Sequence, residues 1–346
     1  MSVTIPAPSR STDSDRRRRD LVTALLCTWL IGGLVLDGWA HRNTPELESF
    51  FTPWHAAFYT GYLATAAWIF KVSIVASDGR ARVSPPPGYG LGLIGLVVFG
   101  VGGVSDGFWH TLLGIETSID ALLSPPHLLL FTGTMMVTSC PIRSALARSA
   151  ADRDLASFLP VVLATSQLLF LWAFILTFLG GFTTPLPGQG LISNNLQSEY
   201  VAAAGVGSIL VSTIILTVGI AWLTSRWRLP AGAVTITGGL LAVAVTLLDG
   251  LAIPAAVLPP LLTSAIVDVW LRPRPDPLVS AVRVGLAFLA GWALVFVLYA
   301  SLYTLAWPPE LWAGSMLLAS GLSGVLVYLI HGGGAPAHRE RSRAAS

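Results

Sequence analysis

"LDGWAHRNTPELESFFTPWHAAFYTG", residues 36–61, is followed by a second version of the same arrangement, "SDGFWHTLLGIETSIDALLSPPHLLLFTG", residues 105–133. Each version places Asp-Gly-x-x-His at the end of an apolar run. A short loop follows, then an acidic residue and Thr/Ser-Pro-x-His at the start of the next run. Asp37, His41, Glu48 and His55 thereby correspond to Asp106, His110, Asp120 and His127. Residues four apart share a helical face, so Asp37 and His41 point at one spot, as do Asp106 and His110. Thr52 or Ser124 is suited to cap the next helix and Pro53 or Pro125 to be its first residue. That sets His55 and His127 in its first turn. Each version is then a helical hairpin whose tip gathers one carboxylate and two imidazoles. The Asp-His pair also meets the negative end of its own helix dipole, where a cation is favoured.

The letters on either side define the setting. Hydrophobic residues make up 53% of the chain and charged residues 11%, and the mean hydropathy is +0.70. These values fit neither an ordinary soluble domain nor a disordered chain. Apolar runs begin near Leu21, Trp54, Gly88, His127, Phe158, Val201, Ala231, Ile253, Val279 and Leu311. Crossing a hydrocarbon core of about 30 Å takes roughly 20 helical residues. The expected fold is all-α, a polytopic integral membrane bundle of about ten transmembrane helices built from parallel helical-hairpin repeats. Asp249, Gly250, Pro254, Pro259 and Pro260 interrupt the seventh and eighth runs.

Charge placement sets the expected orientation. If Arg16–Arg19 hold the N-terminus in the cytoplasm, ten crossings put the later arginine groups inside as well. Of the 20 Lys and Arg residues, only Arg42 then falls outside. The expectation is a multi-pass protein of the cell membrane with both termini cytoplasmic and the hairpin tips towards the outer face. Residues 1–19 are expected to be a disordered cytoplasmic tail and 20–143 the duplicated four-helix metal-binding unit. Residues 144–331 form a six-helix scaffold with degenerate repeats, and 332–346 a second cytoplasmic tail. The basic residues mark topology over many loops, so no nucleic-acid partner is expected. Cys27 and Cys140 are too few and too separated for a disulfide frame.

An Asp-His pair one turn apart also reads as a plain hydrogen-bonded pair, and Ser/Thr-Pro is a common helix start. The repetition of the whole polar set favours the metal reading. Four of the six histidines fall in matching positions, while His331 and His338 lie near the other terminus. The candidate ligands are therefore Asp37, His41, His55, Asp106, His110 and His127. Glu48 and Asp120 are candidate catalytic residues that move protons, or acids that simply favour a helix N-terminus. Gly61 and Gly133 read as close-packing positions, and Arg42 as a counter-charge or a solvated residue. Around Asp249, and again around Glu310, the later hairpins keep traces of the motif without its histidines; Glu199 is a further acidic candidate at the outer side.

Asp37, His41, then Phe51-Thr52-Pro53-Trp54-His55 and Phe58-Tyr59 resemble the C subunit of the copper membrane monooxygenases, the particulate methane and ammonia monooxygenases. The likeness is confined to this stretch, with a weaker echo in the second version. It implies copper bound by Asp37, His41 and His55, with the second set following by internal similarity, and oxidation of a small apolar or membrane-soluble substrate with dioxygen. It also implies an electron donor or partner subunits beside the lipid bilayer. Imidazole and carboxylate without thiolate suit copper, iron or zinc alike. The alternative function is a copper or zinc transporter, and a third is haem ligation by the histidines.

Overall fold

The computed structural model describes residues 13–44, 52–77, 80–114, 119–148, 154–180, 183–272 and 275–332. The first hairpin is α1 (Asp13–Asn43) and α2 (Pro53–Ser73). A ribbon of β1 (Ile74–Ser77) and β2 (Arg80–Val83) leads to α3 (Gly90–Leu113), the short α4 (Ile119–Leu123), α5 (Pro125–Thr138) and α6 (Cys140–Leu146). The rest comprises α7 (Leu155–Ile175), α8 (Leu196–Arg226), α9 (Ala233–Leu248), α10 (Leu258–Trp270), α11 (Pro277–Leu302) and α12 (Pro309–Gly332). Six of these, α1, α3, α7, α8, α11 and α12, are long and apolar enough to cross a membrane, so the chain is a multi-pass membrane protein. The other four apolar runs fall in α2, α5, α9 and α10, so six of the expected ten crossings meet the measure of length and apolarity among the described residues.

Three local departures from the sequence reading have physical causes, and one expected break is explained. Residues 13–19, expected in a disordered tail, begin α1: Asp13 and Asp15 occupy its first turn, where acids are favoured, and Arg17 donates to Ser157 Oγ at 3.3 Å. The chain is not purely α-helical, because β1 and β2 pair antiparallel with Ser77 opposite Arg80. The letters between them, Asp78-Gly79, are a strong two-residue hairpin signal. The run from His127 is split at Ser139, since Pro141 has no N–H to continue the α5 ladder. The seventh run ends where Gly250 and Leu251 both take positive φ, +66° and +58°. There Leu251 N–H reaches back to Thr246 O at 3.0 Å and closes the end of α9. The chain turns at this point, and α9 and α10 are separate packed helices.

Glycines fix the hairpins. A Cβ at Gly33 of α1 would lie 2.6 Å from Phe58 Cα of α2, and one at Gly61 of α2 would lie 2.8 Å from Leu30 Cα of α1. In the pair α3–α5, a Cβ at Gly102 would lie 2.9 Å from Leu130 N, and one at Gly133 would lie 2.6 Å from Phe99 N. Gly33 and Gly102 stand four residues before their aspartates, Leu30 and Phe99 seven before. The two hairpins are thus held by backbone approach at corresponding positions, as small residues permit in membranes. We expect Gly133→Val to cost about 1–3 kcal/mol or more by overpacking. Thermal unfolding in detergent should show it, while Gly207→Val, at a glycine with open space around it, leaves the melting point nearly unchanged.

At the end of α1 away from the hairpin tips lies a buried polar knot. Asp20 is fully buried; Tyr89 Oη donates to its Oδ1 at 2.9 Å and Arg148 Nη1 to its Oδ2 at 2.9 Å. Arg19 lies over the Tyr89 ring, and Trp68 Nε1 donates to Thr23 Oγ1, which itself meets Tyr89 Oη. The knot joins α1 to α2, to the start of α3 and to the segment after α6. The main apolar core lies in the second half, around Phe170, Leu216, Phe288 and Trp292. Helix α7 packs against α1, α5, α6, α8 and α9, joining that core to the two hairpins.

Candidate metal centre

Both hairpin tips form as the spacing dictates. Thr52 Oγ1 accepts from His55 N–H at 3.2 Å and Ser124 Oγ from His127 N–H at 3.4 Å, with Pro53 and Pro125 opening α2 and α5. These caps turn each histidine back towards the C-terminal end of the preceding helix. Asp37, His41 and His55 come together, as do Asp106, His110 and His127, with the ligand atoms of each set within 4.8 Å of one another. The structure therefore assembles all six predicted ligands into two clusters.

The second cluster is the tighter. Asp106 Oδ1 faces His110 Nε2 at 3.3 Å and His127 Nε2 at 3.2 Å. His110 Nδ1 lies 3.2 Å from the carbonyl of Gly114, and His127 Nδ1 meets the carbonyl of Ala121. A carbonyl only accepts, so each Nδ1 carries a proton and Nε2 is the ring atom turned towards Asp106. There Nε2 donates to the carboxylate when protonated and offers a lone pair to a metal when it is not. Such backbone partners are how metal-binding imidazoles are ordinarily oriented. Gly114 makes its contact from φ +87°, which a side chain would disfavour. Ligand atoms about 2.1 Å from a tetrahedral metal lie roughly 3.4 Å apart, close to the separations here.

In the first cluster Asp37 Oδ1 is 3.5 Å from His55 Nε2, and Asp37 Oδ2 is 4.0 Å from His41 Nε2. The paired rings stand alike in the two clusters, with centroids 5.7 Å apart for His41 and His55 and 5.8 Å for His110 and His127. Asp37 Oδ1 and Asp106 Oδ1 are both shielded from solvent, with imidazole nitrogens as their near partners. A buried carboxylate oxygen is costly unless a cation meets it, a place that an imidazolium or a metal ion can fill.

Both clusters open on one cavity of about 300 Å³. Its apolar wall includes Phe58 and Phe131 from the hairpins, Leu171 and Phe174 from α7, and Leu248 at the end of α9. Part of this wall comes from outside the duplicated hairpins. The α7 and α9 contribution carried no signal, because their lining residues read as ordinary membrane apolar letters. Arg42 lines the cavity and pairs with Asp249 at 2.8 Å, so the traces of the motif around Asp249 serve a cation from the first hairpin. Glu199 and Glu310 lie in the first turns of α8 and α12 and belong to neither cluster. Glu48 lies outside the described residues, and Asp120 is described only as a backbone position in α4.

Three protein ligands facing an open apolar space leave room for a further ligand, the feature that separates reactive from purely structural metal sites. No known protein family, curated protein or solved structure matches the chain.

Proposed function

We propose that the chain is an integral membrane metalloprotein of ten crossings. Its two parallel hairpins are copies of one unit, and each tip holds a metal ion through one aspartate and two histidines. The observation that carries this reading is the convergence of three ligand atoms, twice over, on a single apolar cavity. The donor set suits copper, iron or zinc, and the resemblance of the first hairpin to the C subunit of the copper membrane monooxygenases selects copper. Bound copper would supply the capacity to engage dioxygen for oxidation of a small apolar or lipid-soluble substrate, with electrons from a donor outside this chain. Asp37 and Asp106 would hold the ions, the histidines would orient them, and the apolar wall would seat the substrate and exclude water. The hairpin tips would lie towards the outer face of the cell membrane with both termini cytoplasmic, where Glu48 and Asp120 are the candidates to move protons.

The test is elemental analysis of protein purified in detergent and reconstituted with copper, iron or zinc. Two ions per chain are expected, one in His55→Ala, one in His127→Ala and none in the double variant. An oxygen-consumption screen with small hydrocarbons then addresses the reaction. Absence of histidine-dependent uptake for all three metals would sink the reading. One observation favours the alternative of a copper or zinc transporter: the free thiols of Cys27 and Cys140 lie in one buried cluster with Ile69 and Tyr89, away from the tips. Metal flux into proteoliposomes that falls in Cys27→Ala would support that alternative.

A further inference from the structure

The cavity that both clusters share has a depth as well as a lining. On α1 its lining reaches from His41 back to Leu34, and on α5 from His127 on to Thr134. Each interval is seven residues, about 10 Å along the axis at 1.5 Å per residue. Helix α1 ends at a hairpin tip and α5 begins at one, so both intervals measure the same direction, inward from the clusters.

The two ends of this slot differ. At the outer end the six cluster residues stand together, with Arg42, Ile119 and Phe178 exposed around them. At the inner end stand Leu34, Thr134 and Leu171, with Thr134 1% exposed and Leu171 0%. The Thr134 hydroxyl donates to Leu130 O of its own helix at 2.7 Å, so it has no donor left for the cavity. Phe58, Phe131 and Phe174 line the stretch between. The slot is therefore polar and open outside, apolar and closed inside.

Size and charge narrow the occupant. The volume is about 300 Å³, and a cavity of about 150 Å³ holds benzene, so this one takes roughly a dozen non-hydrogen atoms. Two divalent ions held by two aspartates and neutral imidazoles would leave the polar end with surplus positive charge. Beside phenyl rings that charge is poorly screened, and an anion next to it is favoured.

Resting on the metal reading above, we propose that the slot binds a linear monocarboxylate of about ten carbons, its head at the clusters and its chain running inward to Leu34, Thr134 and Leu171. The clusters select the anionic head, and the closed inner end limits the chain. The lipid-soluble substrate class is thereby narrowed to a single-chain, fatty-acid-like amphiphile.

The experiment uses full-length protein in detergent loaded with Cu(II), with copper counted by elemental analysis. Acetate, butyrate, hexanoate, octanoate, decanoate and tetradecanoate are the probes, their free concentrations fixed by dialysis, and the copper signal is followed by electron paramagnetic resonance. The concentration for half-response is expected to fall about fourfold for each added methylene and to stop falling near ten to twelve carbons. Leu171→Phe and Thr134→Leu fill the inner end without touching a ligand. Each should keep the copper content and the acetate response while weakening decanoate binding at least tenfold. Copper-loaded protein that responds to no carboxylate, or to acetate as strongly as to decanoate, overturns the proposal. So does a gain that continues undiminished to tetradecanoate, or one that is unchanged in both filled variants. Protein that takes up no copper overturns the metal reading itself.

Discussion

Asp106→Ala is expected to lower metal affinity at the second cluster by at least a factor of about 100, leaving one ion per chain where the proposed pair of sites would hold two. One oxygen, Asp106 Oδ1, faces both Nε2 atoms at 3.3 and 3.2 Å, so its removal takes away the only anionic ligand of the set. Loss of a partner beyond the ligands already costs 10–100-fold in comparable sites, so loss of a ligand sets a floor near the upper end. The two imidazoles, still oriented by the carbonyls of Gly114 and Ala121, would hold a neutral pair with weak residual affinity. Equilibrium dialysis against a chelator of known strength measures the change. An affinity within threefold of the unaltered protein would mean that Asp106 only orients the histidines.

The second large effect belongs to the opposite end of α1. Asp20→Ala is expected to destabilise the fold by about 3–5 kcal/mol, the usual consequence of removing one partner from a buried ion pair. The side chain of Asp20 is 0% exposed and that of Arg148 is 3%, so water cannot replace the lost carboxylate, while Tyr89 loses its acceptor and Arg19 an ion-pair partner at 3.7 Å. A paired replacement, Asp20→Leu with Arg148→Met, should recover most of the loss, because it removes both buried charges together. Thermal or denaturant unfolding in detergent reads both variants. A loss below about 1 kcal/mol for Asp20→Ala would show that the knot is solvated in the working protein.

What the sequence made legible follows from short-range physics. The ligand sets could be read because their geometry is local: one helical turn joins Asp37 to His41, and a cap with its proline fixes where His55 starts the next helix. Gly61 and Gly133 were readable for the same reason, as small residues at a fixed distance from each histidine. Residues supplied from far along the chain were not readable. Leu248 enters the cavity only because α9 ends beside α1, and nothing in its neighbours distinguishes it from a lipid-facing leucine. Phe174 is a similar case. Asp20 gave no signal because, between four arginines and the first apolar run, it reads as a boundary charge, and its partners Tyr89 and Arg148 come from far along the chain. The ribbon of β1 and β2 is signalled by Asp78-Gly79 alone, because Ile74 and Val75 continue the apolar run of α2 without a break.

Helix α1 carries both polar sites, and the spacing between them fixes a length. Asp20 and Asp37 are 17 residues apart on one helix, which at 1.5 Å per residue is about 26 Å. That is close to the thickness of the oily layer the helix would cross, about 30 Å in an average bilayer and near 27 Å in the thinner ones. A rod of fixed length with a charged anchor at each end acts as a gauge of thickness. In a thick, sterol-stiffened bilayer it would have to stand upright or draw one anchor into hydrocarbon; in a thin one it would lean. Leaning would tilt α2 with it through the glycine contacts, and so shift His55 relative to α3. On that reckoning lipid chain length would bear on the spacing between the Asp37 and Asp106 clusters.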